Sequence, residues 1–443
     1  MNQETKNTST GSVQVCQNCK NNFTIESEDF AFYEKIKVPP PTWCPGCRFQ
    51  RRLTFRNERV LYKRDCDLCG QDMVTIFAPE KPIKVYCSPC WWSDKWDPLV
   101  YAQEYDPART FFDQFNELLG KTPWPNLING YSSLVRSDYV NHAGYLKDCY
   151  LIFNADKCEN VHYGAILAGD KDSMDLNVVG ESELCYWAID CHKSFSVYFS
   201  EGIKNSHDVW FSKDCAGSDH LFGCAGLRKK SYYIFNVQYT KEKWERKVKE
   251  YKTSSYTNLQ EIKIEAQEFW KKFPQKFNHG LHNTNASGDY VYESKNAKEL
   301  YLSRFVEDGK WCQWITLPST KDAYDYTEWG AGAERIYEAI TAGEGASGIK
   351  FCFGVWSSAI ENEYSILAVT CSSVFGCANI KNKKYCILNK EYSKEDFEAL
   401  RVCIVEDMNK NPYVDSKRRV FAYGEFFPPD LSRFAYNETS ASQ

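Results

Sequence analysis

Short segments of alternating polar and apolar residues recur through the middle of the chain. Between residues 147 and 235 they follow one another every 11 to 13 residues, and in each a polar or turn-forming pair precedes alternating aromatic or β-branched positions: KDCYLIF, CENVHYG, KDSMDLN, SELCYWA, KSFSVYF, NSHDVWF, SDHLFG and KSYYIF. A period of two is typical of a β-strand. Because no helical pattern separates the segments, a right-handed β-solenoid with about two strands per coil accounts for the spacing best. A β-sandwich or barrel is the alternative.

The strand pattern is present twice. The segments LFGCAGLRKKSYYIFNVQYTKEKW and VFGCANIKNKKYCILNKEYSKEDF, which begin at Leu221 and Val374, align without a gap at an offset of 153 residues. Upstream, KDSMDLNVVG and KDAYDYTEWG match at nearly the same offset. The alignment predicts two related β-modules, residues 130–275 and 285–412, each ending in a helix.

Helical signals lie at the ends of these modules and before the first one. Thr240 and Ser393 are suitable N-caps, and an acid follows each of them in the first helical turn. Apolar residues at helical spacing between Phe111 and Leu119 predict a packed helix, which Pro123 ends.

The 20 cysteines fall into two classes. The first eight form four CxxC pairs, and the other twelve are scattered. Two such pairs can hold one tetrahedral ion, and thiolate ligands select zinc, with iron as the main competitor. We therefore expect two structural zinc ions, each enclosed by four sulfurs, and the predicted ligands are Cys16, Cys19, Cys44, Cys47, Cys66, Cys69, Cys87 and Cys90.

The order in which the pairs combine is left open by the spacing. The first pair can share an ion with the second pair, as in sequential ribbons, or with the third, as in a cross-braced arrangement. The scattered cysteines of the first module lack paired spacing and are interpreted as small apolar residues of the interior: Cys149, Cys158, Cys185, Cys191, Cys215 and Cys224.

A strongly basic segment follows the second pair. CRFQRRLTFRNERVLYKRDC is interpreted as one helix, with Phe49, Leu53 and Val60 as its apolar stripe. A basic face beside the zinc site can follow a phosphate backbone, and no base-reading motif accompanies it. The candidate nucleic-acid-binding residues are Arg48, Arg51, Arg52, Arg56, Arg59, Lys63 and Arg64. The alternative is that these arginines pair with local acids or face water.

Composition and charge narrow the class of protein. The formal net charge of -5 is unlike that of a wholly basic nucleic-acid coat, and an aromatic content of 16% favours packed β-structure. The polar amino terminus has no signal-peptide pattern, and no apolar run is long enough for a membrane span. We expect a cytoplasmic protein with reduced thiols and no membrane partner.

The sequence contains no recognisable catalytic motif. Five of the seven histidines lie in the first module (His142, His162, His192, His207 and His220), but no HExxH, GxSxG, Walker or dinucleotide motif is present. Aspartates of the same region, such as Asp148 and Asp190, would be available to a solenoid enzyme that acts on glycans. Solvated histidines and turn aspartates are the preferred interpretation, and no catalytic residue is assigned.

Several long motifs carry a family resemblance. CPGCRFQRRLTFRNERVLYKRDC, VYCSPCWWSDKWDP, NKEYSKEDF and YGEFFPPDLSRFAYNETSA together resemble an uncharacterised family of bacterial zinc-ribbon proteins known mainly from environmental genomes. The resemblance covers nearly the whole chain and implies zinc binding, but it supplies no catalytic residues. Some relatives carry a CoA-transferase label, for which this chain shows neither a doubly wound pattern nor a CoA site.

These observations predict a mainly β protein with a tandem zinc-ribbon module before a duplicated solenoid. The expected divisions are a tail at 1–13, the zinc module at 14–97, an aromatic helical connector at 98–129, the two β-modules, and a tail at 413–443. The favoured function is a non-enzymatic, zinc-dependent binding or scaffold protein that contacts RNA or a ribonucleoprotein through its basic helix. A solenoid enzyme acting on glycans and a self-assembling structural protein are the alternatives.

Overall fold

The structure is a computed structural model that describes residues 11–317, 320–330, 333, 335–341, 347–351, 353–354 and 360–439. It is mainly β, and the predicted solenoid is confirmed. Every helix in these ranges falls short of the length and apolar character that a bilayer span requires.

The amino-terminal region consists of two antiparallel hairpins, a short parallel strand pair and four α-helices. Its strands are β1 Ser12–Val15, β2 Asn22–Ile25, β3 Tyr62–Asp65, β4 Asp72–Thr75, β5 Val85–Tyr86 and β6 Trp124–Pro125. Its helices are α1 Ser27–Lys35, α2 Pro45–Leu53, α3 Ser88–Trp92 and α4 Phe111–Lys121, with a 3-10 turn at Pro98–Tyr101. Helix α4 confirms the predicted aromatic helix.

The first module is a stack of parallel strands followed by two helices. The strands are β7 Leu134–Val135, β8 Asn141–Gly144, β9 Leu146–Lys147, β10 Tyr150–Asp156, β11 Glu159–Ala168, β12 Lys171–Gly180, β13 Tyr186–His192, β14 Phe195–Glu201, β15 His207–Trp210, β16 Asp219–Phe222, β17 Ser231–Ile234 and β18 Val237–Gln238. The helices are α5 Lys241–Glu250 and α6 Tyr256–Trp270. Tyr150 pairs with His162, and His162 pairs with Met174, so one coil takes 12 residues.

A three-residue period inside each coil explains the sequence pattern. Buried side chains recur at Cys149, Ile152, Ala155 and Cys158, which gives four interior positions per coil. The residue before each interior position has a positive φ, as at Asp148 (55°). Asn, Asp and Gly tolerate that conformation best, which accounts for their presence at many of these positions. Strands β11 and β12 each run through most of a coil, so the expectation of two strands per coil is wrong for this part of the stack.

The interior cysteines are small buried groups, as predicted. Their thiols lie against backbone carbonyls; for example, Cys149 Sγ is 3.4 Å from the carbonyl oxygen of Cys158. Serines fill another column, where the Oγ of Ser182 accepts from the backbone N–H of Ser194 on the next coil at 3.2 Å. Each side chain thus satisfies a backbone group that the narrow interior shields from water.

The second module repeats this construction. Its strands are β19 Gly280–Leu281, β20 Thr284–Tyr292, β21 Lys295–Arg304, β22 Val306–Glu307, β23 Gln313–Leu317, β24 Thr320–Lys321, β25 Thr327–Gly330, β26 Ile360–Glu363, β27 Ser372–Phe375, β28 Lys384–Ile387 and β29 Lys390–Glu391, followed by helix α7 Lys394–Lys410. The chain then forms a hairpin of β30 Tyr413–Val414 and β31 Val420–Phe421.

The two modules end in the same way, which confirms the duplication. Asn236 and Asn389 each clamp the backbone of the preceding coil through both side-chain amide atoms. A strand hairpin follows, and Thr240 and Ser393 then cap α5 and α7 as predicted. Register partners also correspond, because Asp219 pairs with Ser231 and Ser372 pairs with Lys384.

The amino-terminal region and the second module share one hydrophobic core, which also includes α4 and the segment from residue 413 onward. The rings of Phe32 and Tyr324 stack at 3.8 Å. Trp91 is buried against Lys381, whose Nζ lies 4.8 Å from the ring centre. The cysteine-rich region is therefore packed into the fold and not a separate appendage.

Candidate metal centres and the buried arginine cluster

Two tetracysteine groups lie in the amino-terminal region. Cys16 and Cys19 meet Cys44 and Cys47, and their ligand atoms lie within 4.8 Å of one another. The second group is Cys66, Cys69, Cys87 and Cys90, with the same spread. The pairing is thus sequential, and all eight predicted residues are brought together as two sets of four.

Both groups are built in the same way. In each, the first two cysteines lie at the turn of a hairpin, and the residue after the second one has a positive φ: Lys20 at 64° and Gly70 at 73°. The third cysteine is the N-cap of a short helix, Cys44 before α2 and Cys87 before α3. Because a helix amino terminus carries a partial positive charge, this position favours a thiolate.

The sulfur positions fit a tetrahedral metal ion. A Zn–S bond of about 2.3 Å gives a tetrahedron with an edge of about 3.8 Å. Cys19 Sγ and Cys44 Sγ are 3.8 Å apart, as are Cys69 Sγ and Cys87 Sγ. The described cysteines are free of disulfides. With four protein ligands, each site can hold an ion without an open coordination position.

One thiol in each group has a lowered pKa. Burial opposes charge on Cys16, but backbone hydrogen bonds, including one from the N–H of Cys44 at 3.2 Å, lower its pKa to about 7. The Cys66 thiol has the same arrangement, and its pKa is also lowered to about 7. By contrast, burial raises the pKa of Cys47 to about 12. A bound cation would hold all four sulfurs of a group as thiolates.

Helix α2 begins at the first metal site and ends much earlier than predicted. The expectation of a helix from Cys47 to beyond Lys63 is wrong, since α2 spans Pro45–Leu53 and Lys63 lies in strand β3. Within α2, Arg48, Arg51 and Arg52 have the spacing i, i+3 and i+4, which places them on one face. That face is buried.

Four guanidinium groups meet five carboxylates in this interior. Arg48 and Arg52 lie against Asp325, with N–O distances of 2.8 and 3.3 Å. Arg51 lies between Glu338 and Glu425. The remaining pairs join Arg56 to Glu58 and to Glu328.

Aromatic rings complete the surroundings of these ions. The guanidinium carbon of Arg51 lies 4.4 Å from the centre of the Trp43 ring, and that of Arg48 lies 4.8 Å from the centre of the Trp311 ring. Burial raises the pKa of Glu328 and of Glu338 to about 7 despite the adjacent arginines. The cluster joins helix α2 to the second module through buried charges.

The predicted basic face is therefore mostly turned inward. Arg48, Arg51, Arg52 and Arg56 are at most 1% exposed and cannot reach a phosphate backbone in this fold. Their partners are mainly carboxylates more than 250 residues away in the sequence, and only the pair of Arg56 with Glu58 involves a local acid as considered above. The Arg64 guanidinium donates to the backbone carbonyls of residues 78 and 83. Arg59 and Lys63 are exposed.

Comparison of the chain with protein-family models and with curated proteins gave no match. The family resemblance of the motifs thus stays a prediction, and functional assignment depends on the geometry.

The candidate acids and histidines of the first module do not form one cleft. Asp148 pairs with Arg136, and Asp190 lies beside His192. The His142 side chain is only 6% exposed, and burial lowers its pKa. Two histidines do converge, however: His207 and His220 lie on adjacent coils together with Asp219. This group was not predicted from the sequence, although the 12-residue spacing between His207 and Asp219 was a signal for it.

Proposed function

We propose that the protein is a non-enzymatic, zinc-dependent scaffold that binds the helical segment of another protein on an exposed aromatic face of its first module. The observation that carries the proposal is the uneven covering of this face. The part of the face on the later coils is packed beneath the chain's own helices, while the part on the earlier coils is exposed.

Zinc is the ion that best fits a structural role here. It accepts four thiolates in tetrahedral geometry and does not undergo redox chemistry. The first site fixes the start of α2, and α2 carries three of the four arginines that enter the second module. Metal binding would in this way hold the amino-terminal region against the solenoid.

The aromatic face consists of the outward residues on one side of the coils. Along it Tyr150, His162, Met174, Tyr186, Tyr198 and Trp210 are successive register partners. Residues at the later coils, including Phe199 and Phe211, form a cluster with Trp244 of α5 and with Ile262 and Ala266 of α6. These coils therefore show what kind of element fits the face, namely an amphipathic helix.

The earlier coils present a similar but uncovered surface. Tyr139, Tyr150, Tyr163, Met174 and Tyr186 are 37 to 45% exposed. Aromatic residues and methionine are enriched in the centres of protein interfaces, whereas lysine and glutamate are depleted. The surface continues directly from the part of the face that α5 and α6 occupy, which supports a helix of a partner protein as its ligand.

A displayed library of helical peptides tests this proposal. We expect peptides selected on the zinc-loaded protein to share apolar residues at helical spacing. A Tyr150→Ser/Tyr163→Ser variant should bind them at least about 30-fold more weakly, since central interface residues contribute about 2 kcal/mol or more. Tyr145→Ser is the matched control, because Tyr145 is 64% exposed but lies on another side of the coil. Equal affinities for the double variant and the wild type would refute the proposal.

Contact with RNA through the basic segment stays a separate prediction. Arg59 and Lys63 are the exposed members of the proposed set. A gel-shift titration with an Arg59→Glu/Lys63→Glu variant measures their contribution, and salt-dependent binding that is lost in the variant would support it.

A further inference from the structure

We propose that His207, Asp219 and His220 form a third metal site, which binds an exchangeable divalent transition-metal ion at the surface of the first module. This site differs from the tetracysteine groups in its ligand chemistry, its exposure and its place in the fold.

The ligand atoms converge because two coils stack in register. His207 in β15 is the direct partner of Asp219 in β16, and His220 is the next residue along the chain. One ligand atom from each residue lies within 4.8 Å of the other two. The His207 and His220 rings have their centres 5.6 Å apart, at an interplanar angle of 79°.

Two imidazole nitrogens and one carboxylate oxygen are a set that suits zinc, nickel, copper or iron(II) better than magnesium or calcium. Three protein ligands leave further coordination positions for water or another molecule. The His207 side chain is exposed, and a shallow groove lined by Glu183, Phe195 and His207 opens beside the cluster. An ion can therefore enter and leave from solvent.

Neighbouring groups hold the proposed ligands in place. Ser231 Oγ donates to Asp219 Oδ1 at 2.5 Å. The His220 ring contacts the rings of Tyr232, at 4.6 Å between centres, and Trp244, at 5.3 Å. Such supporting contacts reduce the freedom that ligands lose when a metal binds.

The duplication shows that the fold does not require these residues. At the offset of 153, the second module has Ile360, Ser372 and Ser373 in place of His207, Asp219 and His220. Ile360 pairs with Ser372 as His207 pairs with Asp219. Both modules thus form the same ladder, and only the first one carries metal ligands on it.

Cobalt binding to the zinc-loaded protein is the test. Co²⁺ is titrated into protein that holds two zinc ions, with calorimetry for the stoichiometry and absorption spectroscopy for the ligand type. We expect one equivalent to bind without the intense sulfur-to-cobalt charge-transfer band that thiolate ligands produce. His207→Ala and His220→Ala should each weaken this binding at least tenfold, whereas His162→Ala, which alters a histidine outside the cluster, should not.

Any one of three outcomes would overturn the proposal. They are no cobalt binding beyond displacement of the two zinc ions, a thiolate charge-transfer band that accounts for all the bound cobalt, or equal affinity in the wild type and in both variants. Retention of two zinc ions and an unchanged circular dichroism spectrum show that a variant is folded. If His207→Ala does not meet this condition, His207→Gln supplies the measurement.

Discussion

Replacement of Asp170 by serine should stabilise the first module at neutral and alkaline pH. Asp170 occupies an interior column of the solenoid that continues as Ser182, Ser194 and Ser206. Its carboxylate oxygens accept from the backbone N–H groups of Ser182 at 3.0 Å and Ala168 at 3.2 Å. A serine at this position can accept from Ser182 as the later serines do, without a buried charge.

The expected magnitude follows from the pKa of the carboxyl group. Burial raises the pKa of Asp170 from 3.8 to about 7, although the two backbone hydrogen bonds act in the opposite direction. Below pH 3.8 the group is protonated in both the folded and unfolded states, so it has no electrostatic effect on stability. As the pH rises towards 7 the unfolded chain ionises first, and stability falls by about 4 kcal/mol in total.

The serine variant removes this loss. One hydrogen bond to the exposed residue Ala168 is given up, at a cost of about 1 kcal/mol. The variant should accordingly be more stable than the wild type by about 3 kcal/mol at pH 8 and by about 1 kcal/mol at pH 5.5.

Urea unfolding of both proteins at these two pH values measures the difference. Comparison at equal pH cancels the effect of pH on the metal sites, and hydrogen exchange of the peptides around residue 170 confirms where the change occurs. Ser182→Ala is the control, because it removes a hydrogen bond of the same column without removing a charge and should destabilise equally at both pH values. An Asp170→Ser variant whose stability relative to the wild type is independent of pH would refute the reasoning.

Three further perturbations test the metal sites, the arginine cluster and the coil clamps. Cys16→Ser should lower the metal content from two ions to one by elemental analysis and make the α2 region susceptible to limited proteolysis; unchanged metal content would contradict the assigned ligands. Arg51→Met removes the closest cation from two buried carboxylates, Glu338 and Glu425, and should cost about 3–5 kcal/mol in urea unfolding, whereas Arg59→Met at the surface should change stability by less than about 0.5 kcal/mol. Asn389→Ala removes both hydrogen bonds to Ala378 and should cost about 2 kcal/mol, and an unaffected midpoint would show that the clamp is dispensable.

Local chemistry could be predicted well from the sequence. Each CxxC turn brings its two sulfurs together by short-range geometry alone, so the eight candidate ligands followed from spacing, whereas the sequential pairing of the turns came from the structure. The terminal helices followed from caps such as Thr240, because an N-cap bonds a backbone group only three residues away. The gapless alignment at an offset of 153 likewise required nothing but comparison of the chain with itself.

The sequence predicted the approximate length of a coil but not the three-residue period inside it. Recurrence every 11 to 13 residues indicated a solenoid, and the structure has 12 residues per coil in the first module. The inner period of three depends on residues such as Leu151, with a φ of 49°. Intrinsic preference does not favour a leucine there, so stacking of neighbouring coils must impose that conformation.

The burial of the basic segment could not be predicted from the sequence. A stripe of arginines on a helix is normally solvated or bound to an anion, and its own sequence does not show which. Here Asp325, Glu338 and Glu425 provide the anions from distant parts of the chain, and the stripe becomes interior.

The sequence by itself determined the four CxxC pairs, the repeat and the paired helix caps, because each depends on residues within a few positions or on one fixed period. Tertiary structure alone decided which face of α2 is buried, where the aromatic face is left uncovered, and that His207, Asp219 and His220 converge. The physical reason is that ion pairing, covering of apolar surface and convergence of ligands depend on which distant residues meet in space.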